Sequence, residues 1–110
     1  MSDYVIEIAQ DQFEANVLAS EVPVALDFYS TECPPCEALA PKYTAVAEQL
    51  AGQVKFYKIY RQGNRDLSTR LGVSGSPTVV FFKAGKEVGE RLTGEIKRSD
   101  LKQAAQALVG

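Results

Sequence analysis

Cys33 and Cys36 are the only cysteines of the chain, and they stand three residues apart in "STECPPCEALAP", with Pro34 and Pro35 between them. Two thiols at this spacing suit either a small disulfide ring or a pair of sulfur ligands. Histidine is absent from the sequence, which excludes Cys–His catalysis, histidine-ligated haem and every mixed Cys/His zinc site. The stretch reads as a helix entry. Cys33 falls just outside the first turn, and Pro34 takes the first helical position, where its missing N–H costs nothing. Unpaired N–H groups and the positive end of the helix dipole gather there and stabilise an anion. This placement predicts an exposed, acidic Cys33 nucleophile and a more buried Cys36 that closes the ring.

Two charged residues sit where they could serve such a pair. Asp27 interrupts the apolar run "VALDFY". In a strand covered on both faces it would be buried with a raised pKa, a proton acceptor for Cys36 near neutral pH. The alternative is a strand-end carboxylate turned to solvent. Lys58 alternates onto one face with Phe56 and Tyr60, as a partner for Asp27 or as a surface lysine. Tyr29 and Tyr43 read as packing residues.

The elements that must position these side chains follow from hydrophobic period and punctuation. "YVIEIA" is a short first strand. Asp11 is expected to cap a helix through "QFEANVLAS", with Phe13, Val17 and Leu18 on one face. "VPVALDFYS" (22–30) reads as a strand buried on both sides, followed by a helix from about Cys33 to Leu50, kinked at Pro41 and ended by Gly52. "QVKFYKIY" (53–60) is the next strand, and Asn64 caps a short helix closed by Gly72. "SPTVVFFKAGKEVGERLTG" predicts a hairpin turning at Ala84–Gly85, and Ser99 caps the last helix. The order β α β α β α β β α implies parallel early strands joined by crossovers, then an antiparallel pair. Cys33 and Cys36 fall at the carboxyl end of the second strand, where an open α/β sheet places its chemistry.

One hundred and ten residues with a net charge of −2 fit a single domain spanning 1–110. There is no basic face for nucleic acid and no apolar run long enough for a membrane span. The start, "MSDYVIEIAQ", lacks the charged and apolar regions of a signal peptide. A cytoplasmic protein with reduced thiols is therefore expected, and a paired thiol there is catalytic or metal-binding rather than structural.

The segment "ALDFYSTECPPCEALAP" resembles the active-site segment of the thioredoxin family, and the similarity runs along nearly all of the chain. Asp27, Cys33, Cys36 and Pro41 stand at the family's spacing, Lys58 fills its lysine in the next strand, and "GVSGSPT" supplies its cis-proline as Pro77. Gly85 and Gly94 match family glycines in the hairpin turn and before the last helix. The resemblance implies a three-layer α/β/α fold with a central mixed sheet of about five strands and about four helices. It implies a thiol–disulfide oxidoreductase that reduces protein disulfides through Cys33 and Cys36 and is regenerated by a separate flavoprotein reductase. No dinucleotide fingerprint is present, so no bound cofactor is expected beyond the redox-active disulfide, and the protein should act as a monomer. Pro77 would hold the backbone of Ser76 beside the cysteines, where it could pair with an extended substrate segment.

The chain departs from the family at the rim of this site. Glu32 replaces the usual tryptophan before the first cysteine, Pro34-Pro35 replaces Gly-Pro, Ser76 replaces an apolar residue before the cis-proline, and "KIYRQGN" lacks the usual acidic residues. Glu32, Pro34, Pro35, Ser76 and Pro77 are accordingly the expected substrate-facing residues. Pro35 removes one N–H donor and Glu32 adds a negative charge, so a less acidic Cys33 and a more reducing dithiol are expected. Two other functions compete: a metal or iron–sulfur site shared across a dimer, and a binding module that keeps the fold without turnover.

Overall fold

The computed structural model describes residues 3–110. Strand β1 (Val5–Glu7) leads through a helical connection to β2 (Val24–Tyr29), helix α1 (Pro34–Gln49) and β3 (Lys55–Tyr60). Helix α2 (Arg65–Arg70), strands β4 (Thr78–Lys83), β5 (Lys86–Glu87) and β6 (Leu92–Thr93), and helix α3 (Arg98–Gln106) complete the chain. The sheet order is β1-β3-β2-β4-β5, with β6 also pairing β4. β1, β3 and β2 are parallel, whereas β4 runs antiparallel to β2. This is the mixed sheet expected from the element order.

Period-two alternation explains the layers, because successive strand residues point to opposite faces. Ala25, Phe56, Val79 and Phe81 meet Leu39, Tyr43 and Val46 of α1 and Leu101 and Ala105 of α3. The intervening residues Leu26, Phe28, Ile59, Val80 and Phe82 meet Phe13, Val17 and Leu67 on the other face. Each face of the sheet thus carries its own apolar layer. Helix α1 runs unbroken through Pro41, an exposed position.

Three capping expectations are corrected. The segment after β1 is no regular helix capped by Asp11: a 3-10 turn (Gln10–Gln12) passes into a π-type turn (Glu14–Leu18) closed by Ala19 N–H to the Glu14 carbonyl, 2.9 Å. The wider turn still buries Phe13 and Val17 against the sheet, and Ala9 takes the cap position. Asn64 does occupy the cap of α2, but its side chain accepts from Gln10 N–H and donates to the Tyr60 carbonyl. It ties two connections together instead of satisfying its own helix. Helix α3 begins one residue beyond Lys97, so Ser99 lies inside it.

The predicted hairpin turns at Ala84–Gly85, with φ of 53° and 79°. Its return strand is broken into β5 and β6, with Gly89 at φ 69° in the interruption. A two-residue turn with both central φ positive matches the twist of paired strands, but alanine carries a steric penalty in that region. Ala84→Asn, which tolerates the conformation, should raise stability by about 0.5–1 kcal/mol in urea unfolding; a loss of stability would show that the alanine is not strained.

Candidate functional site

Three segments meet at the carboxyl ends of β2 and β3 and the amino end of β4. The first is the entry to α1. Cys33 is the N-cap residue, in extended conformation, and its Sγ accepts the N–H of Cys36 at 3.2 Å. The two sulfurs are joined as a disulfide, with Cα atoms 5.2 Å apart. Pro34 and Pro35 occupy the first two helical positions, so the Cys36 amide is the first N–H that the helix can offer to Cys33. One expectation is corrected here. Cys33 is no more exposed than Cys36, each being 8 % exposed. Ser76 lies over Cys33 with its carbonyl oxygen 3.5 Å from Sγ, which accounts for the cover.

The second segment is the loop before β4. The Ser76–Pro77 peptide is cis, Pro77 is buried and Ser76 half-buried. Thr78 Oγ1 donates to the Gly75 carbonyl at 2.8 Å, closing the loop on itself. Arg91 donates to the carbonyls of Leu71 and Gly72 while paired with Glu87 at 2.8 Å, which anchors the loop's other end. Glu32 is exposed at φ 52°, an uncommon conformation for a residue with a side chain. Pro34 is exposed and Pro35 half-buried beside it.

The third is a row of charge across the sheet. Strand register sets Asp27 opposite Lys58, and Lys58 opposite Glu7. All three point to the α1 face, by alternation with Ala25, Phe56 and Val5. Asp27 is only 6 % exposed, which removes the solvent-facing alternative. Its Oδ1 has no hydrogen-bond partner among the described residues. Burial pushes its pKa up to about 7, against the opposing pull of Lys58. Lys58 itself lies 5.5 Å from the Tyr29 ring centroid, and Tyr29 donates its hydroxyl hydrogen to Glu7. A cleft of about 630 Å³ is lined by Asp27, Cys36, Tyr43 and Lys58, and by the exposed Ile6 and Glu37, so the buried carboxyl and the second cysteine share one solvent-reachable space. Tyr43 is fixed there by its hydroxyl, which donates to the Tyr57 carbonyl at 2.8 Å.

One residue at this site escaped the sequence reading. Arg61 starts the turn after β3, and its Nε–H donates to Ser76 Oγ at 2.8 Å. Its place at the carboxyl end of a strand was a signal for it; its contact with a loop fifteen residues on was not. Among the described residues no group of three or more Cys, Asp or Glu side chains converges as metal ligands, and no helix is long and apolar enough to cross a membrane.

The raised Asp27 pKa makes stability depend on pH. From about pH 4 to 7 the folded state keeps a proton that the unfolded chain releases, so stability falls as pH rises through this window. A shift of this size costs roughly 4 kcal/mol in full above pH 7. Asp27→Asn should remove the dependence. Its gain over wild type in urea unfolding of the oxidised protein should be larger at about pH 8 than at about pH 5 by roughly 2–3 kcal/mol, and an equal gain at both would mean that Asp27 is ionised throughout.

Comparison with known proteins agrees with this geometry. The thioredoxin family model matches residues 4–107. The chain is 35% identical to a thioredoxin of Peptoclostridium acidaminophilum over 101 residues, 92% of each chain. It is 32% identical to a thioredoxin of Pseudomonas aeruginosa over 92% of this chain and 93% of the other, and 30% identical to thioredoxin 1 of Nostoc sp. over 91% and 92%. With a disulfide formed by Cys33 and Cys36 at the helix entry, the protein is a thiol–disulfide oxidoreductase acting on protein disulfides. The chain belongs to the thioredoxin family.

Proposed function

We infer that Cys33 is the attacking thiol and Cys36 the resolving one. The observation that carries this assignment is the Cys36 N–H donated to Cys33 Sγ at the N-cap, which would equally stabilise a Cys33 thiolate. In the reduced protein the Cys33 thiolate attacks one sulfur of a substrate disulfide. The substrate S–S bond breaks, and the departing sulfur leaves with the electron pair and takes a proton from solvent. Cys36 then passes its proton towards the Asp27 carboxylate through the cleft that both line, and its sulfur attacks Cys33. The second substrate thiol is released, and two electrons have moved from the Cys33/Cys36 dithiol to the substrate.

Lys58 serves by facing Asp27, its charge holding the carboxyl's pKa near neutrality against desolvation. Ser76, held by Pro77 beside Cys33, offers its backbone to an extended substrate segment, while Glu32, Pro34 and Pro35 form the opposing rim. The protein acts as a monomer. A dithiol whose work is reduction suits a reducing cytoplasm. The cycle closes when a flavoprotein reductase reduces the disulfide, with the protein itself carrying no further cofactor.

Insulin reduction by the wild-type protein tests the activity. Cys36→Ser should accumulate mixed disulfides with substrate proteins and Cys33→Ser should not, and alkylation near neutral pH should label Cys33 faster than Cys36. Faster labelling of Cys36 would reverse the roles.

The redox poise is a separate expectation. Glu32, standing where the family usually has tryptophan, sets a negative charge next to Cys33, whereas Pro35 is the proline of the usual Gly-Pro pair and makes no difference between the two. The charge disfavours the thiolate, hence the reduced form, and lowers the potential below the usual thioredoxin value of about −270 mV. Glu32→Gln should raise it, by up to about 30 mV for about 1.4 kcal/mol of thiolate stabilisation. Equilibration against glutathione measures this, and a wild-type value above about −270 mV would sink the idea.

A further inference from the structure

Arg61 is clamped at the rim by one of its nitrogens and leaves the others unused. Its Nε–H is donated to Ser76 Oγ at 2.8 Å, and the carbonyl of the same serine lies 3.5 Å from Cys33 Sγ. The guanidinium is therefore held alongside the peptide edge next to the disulfide. A guanidinium carries five N–H donors in a rigid fork. Its terminal nitrogens make no hydrogen bond among the described residues, and the ion pair found among these residues, Arg91–Glu87 between β5 and β6, does not involve it. Arg61 is half-buried, so part of its side-chain freedom is lost before any substrate arrives. Glu32, the exposed acid beside Cys33, does not neutralise it. A fixed, unpaired guanidinium fork is complementary to a carboxylate.

We propose that Arg61 is a specificity-determining residue of disulfide exchange, its terminal nitrogens taking the carboxylate of a Glu or Asp next to the substrate cysteine in an extended segment paired with Ser76. This rests on the thiol–disulfide reading above and goes beyond it by naming the substrate class: protein disulfides with an acidic flank. A peptide strand laid on the Ser76 backbone passes the serine's own side chain, and Arg61 is bonded to that side chain. The residue beside the attacked sulfur then comes within reach of the fork. A neutral flank leaves the guanidinium to water, and a basic flank meets like charge.

The test uses the pre-reduced full chain and three peptide mixed disulfides with nitrothiobenzoate, alike except for Glu, Gln or Lys beside the cysteine. Single-turnover rate constants at low ionic strength should fall in the order Glu, Gln, Lys, with a Glu-to-Gln ratio of about three to five, the range of a partly exposed ion pair. The ratio should approach one in about 0.5 M salt. It should also approach one in Arg61→Gln, and be intermediate in Arg61→Lys, which keeps the charge and loses the fork. A wild-type ratio of one would overturn the proposal, as would a ratio that survives in Arg61→Gln. If Arg61→Gln slowed all three peptides alike with the ratio intact, Arg61 would be only a brace for Ser76 and the proposal would fail. If no peptide were reduced and insulin reduction failed too, the disulfide-exchange reading would fall, and this inference with it; insulin reduction without any peptide turnover would overturn this inference alone.

Discussion

Strand β2 is paired along both edges, in parallel to β3 and antiparallel to β4, and covered on both faces by helices. Five of its six residues, Val24 to Phe28, are buried. A carboxylate in that strand is left with only 6 % of its surface exposed, at the floor of the cleft, so desolvation sets its chemistry. That confinement makes Asp27 a group that exchanges a proton near pH 7 rather than near pH 4. The same strand delivers the chain to the N-terminus of α1, so the buried carboxyl and the two sulfurs are positioned by one rigid element. The charge is destabilising where it lies, and it is tolerated because the surrounding apolar layers supply the stability.

At the helix entry the backbone does the electrostatic work. Cys33 caps α1, and with prolines at the first two helical positions the Cys36 amide is what the first turn offers its sulfur. Two consecutive prolines make the turn stiff and poor in donors, whereas the dipole of a sixteen-residue helix still points at the site. Across from it, the Ser76 carbonyl leans on Cys33. A carbonyl oxygen accepts a hydrogen bond from a thiol but repels a thiolate. Cys33 Sγ thus meets one N–H donor on the helix side and a carbonyl oxygen on the other.

The rim shows how a common frame takes on a local character. Tryptophan, glycine and an apolar residue at the family's usual rim positions are replaced by Glu32, Pro34 and Ser76. Ser76 brings a hydroxyl to the groove, and Arg61 answers it from the end of β3. Opposite charges now flank the disulfide, one on each contributing loop. The Cys33–Cys36 disulfide is made without either of them.

Much of the scaffold was legible in the residues alone. The two apolar faces of β2, β3 and β4, the Ala84–Gly85 turn and the Pro34 helix start all follow from local pattern and local sterics, which act within a few residues of chain. The Cys33/Cys36 pair is legible for the same reason, since its geometry is one turn of one helix. Capping at Asp11, Asn64 and Ser99 was misread because a polar side chain chooses among all donors within reach. For Asn64 those donors and acceptors came from Gln10 and Tyr60. The equal cover of Cys33 and Cys36, the opposition of Asp27 to Lys58, and the Arg61–Ser76 bond depend on strand register and loop approach between distant segments. The sequence determined that a dithiol would stand at a helix entry, after a strand that carries an acid; the tertiary structure buried that acid. Only the tertiary structure decided which charges surround it, because long-range pairing sets those distances and no local spacing encodes them.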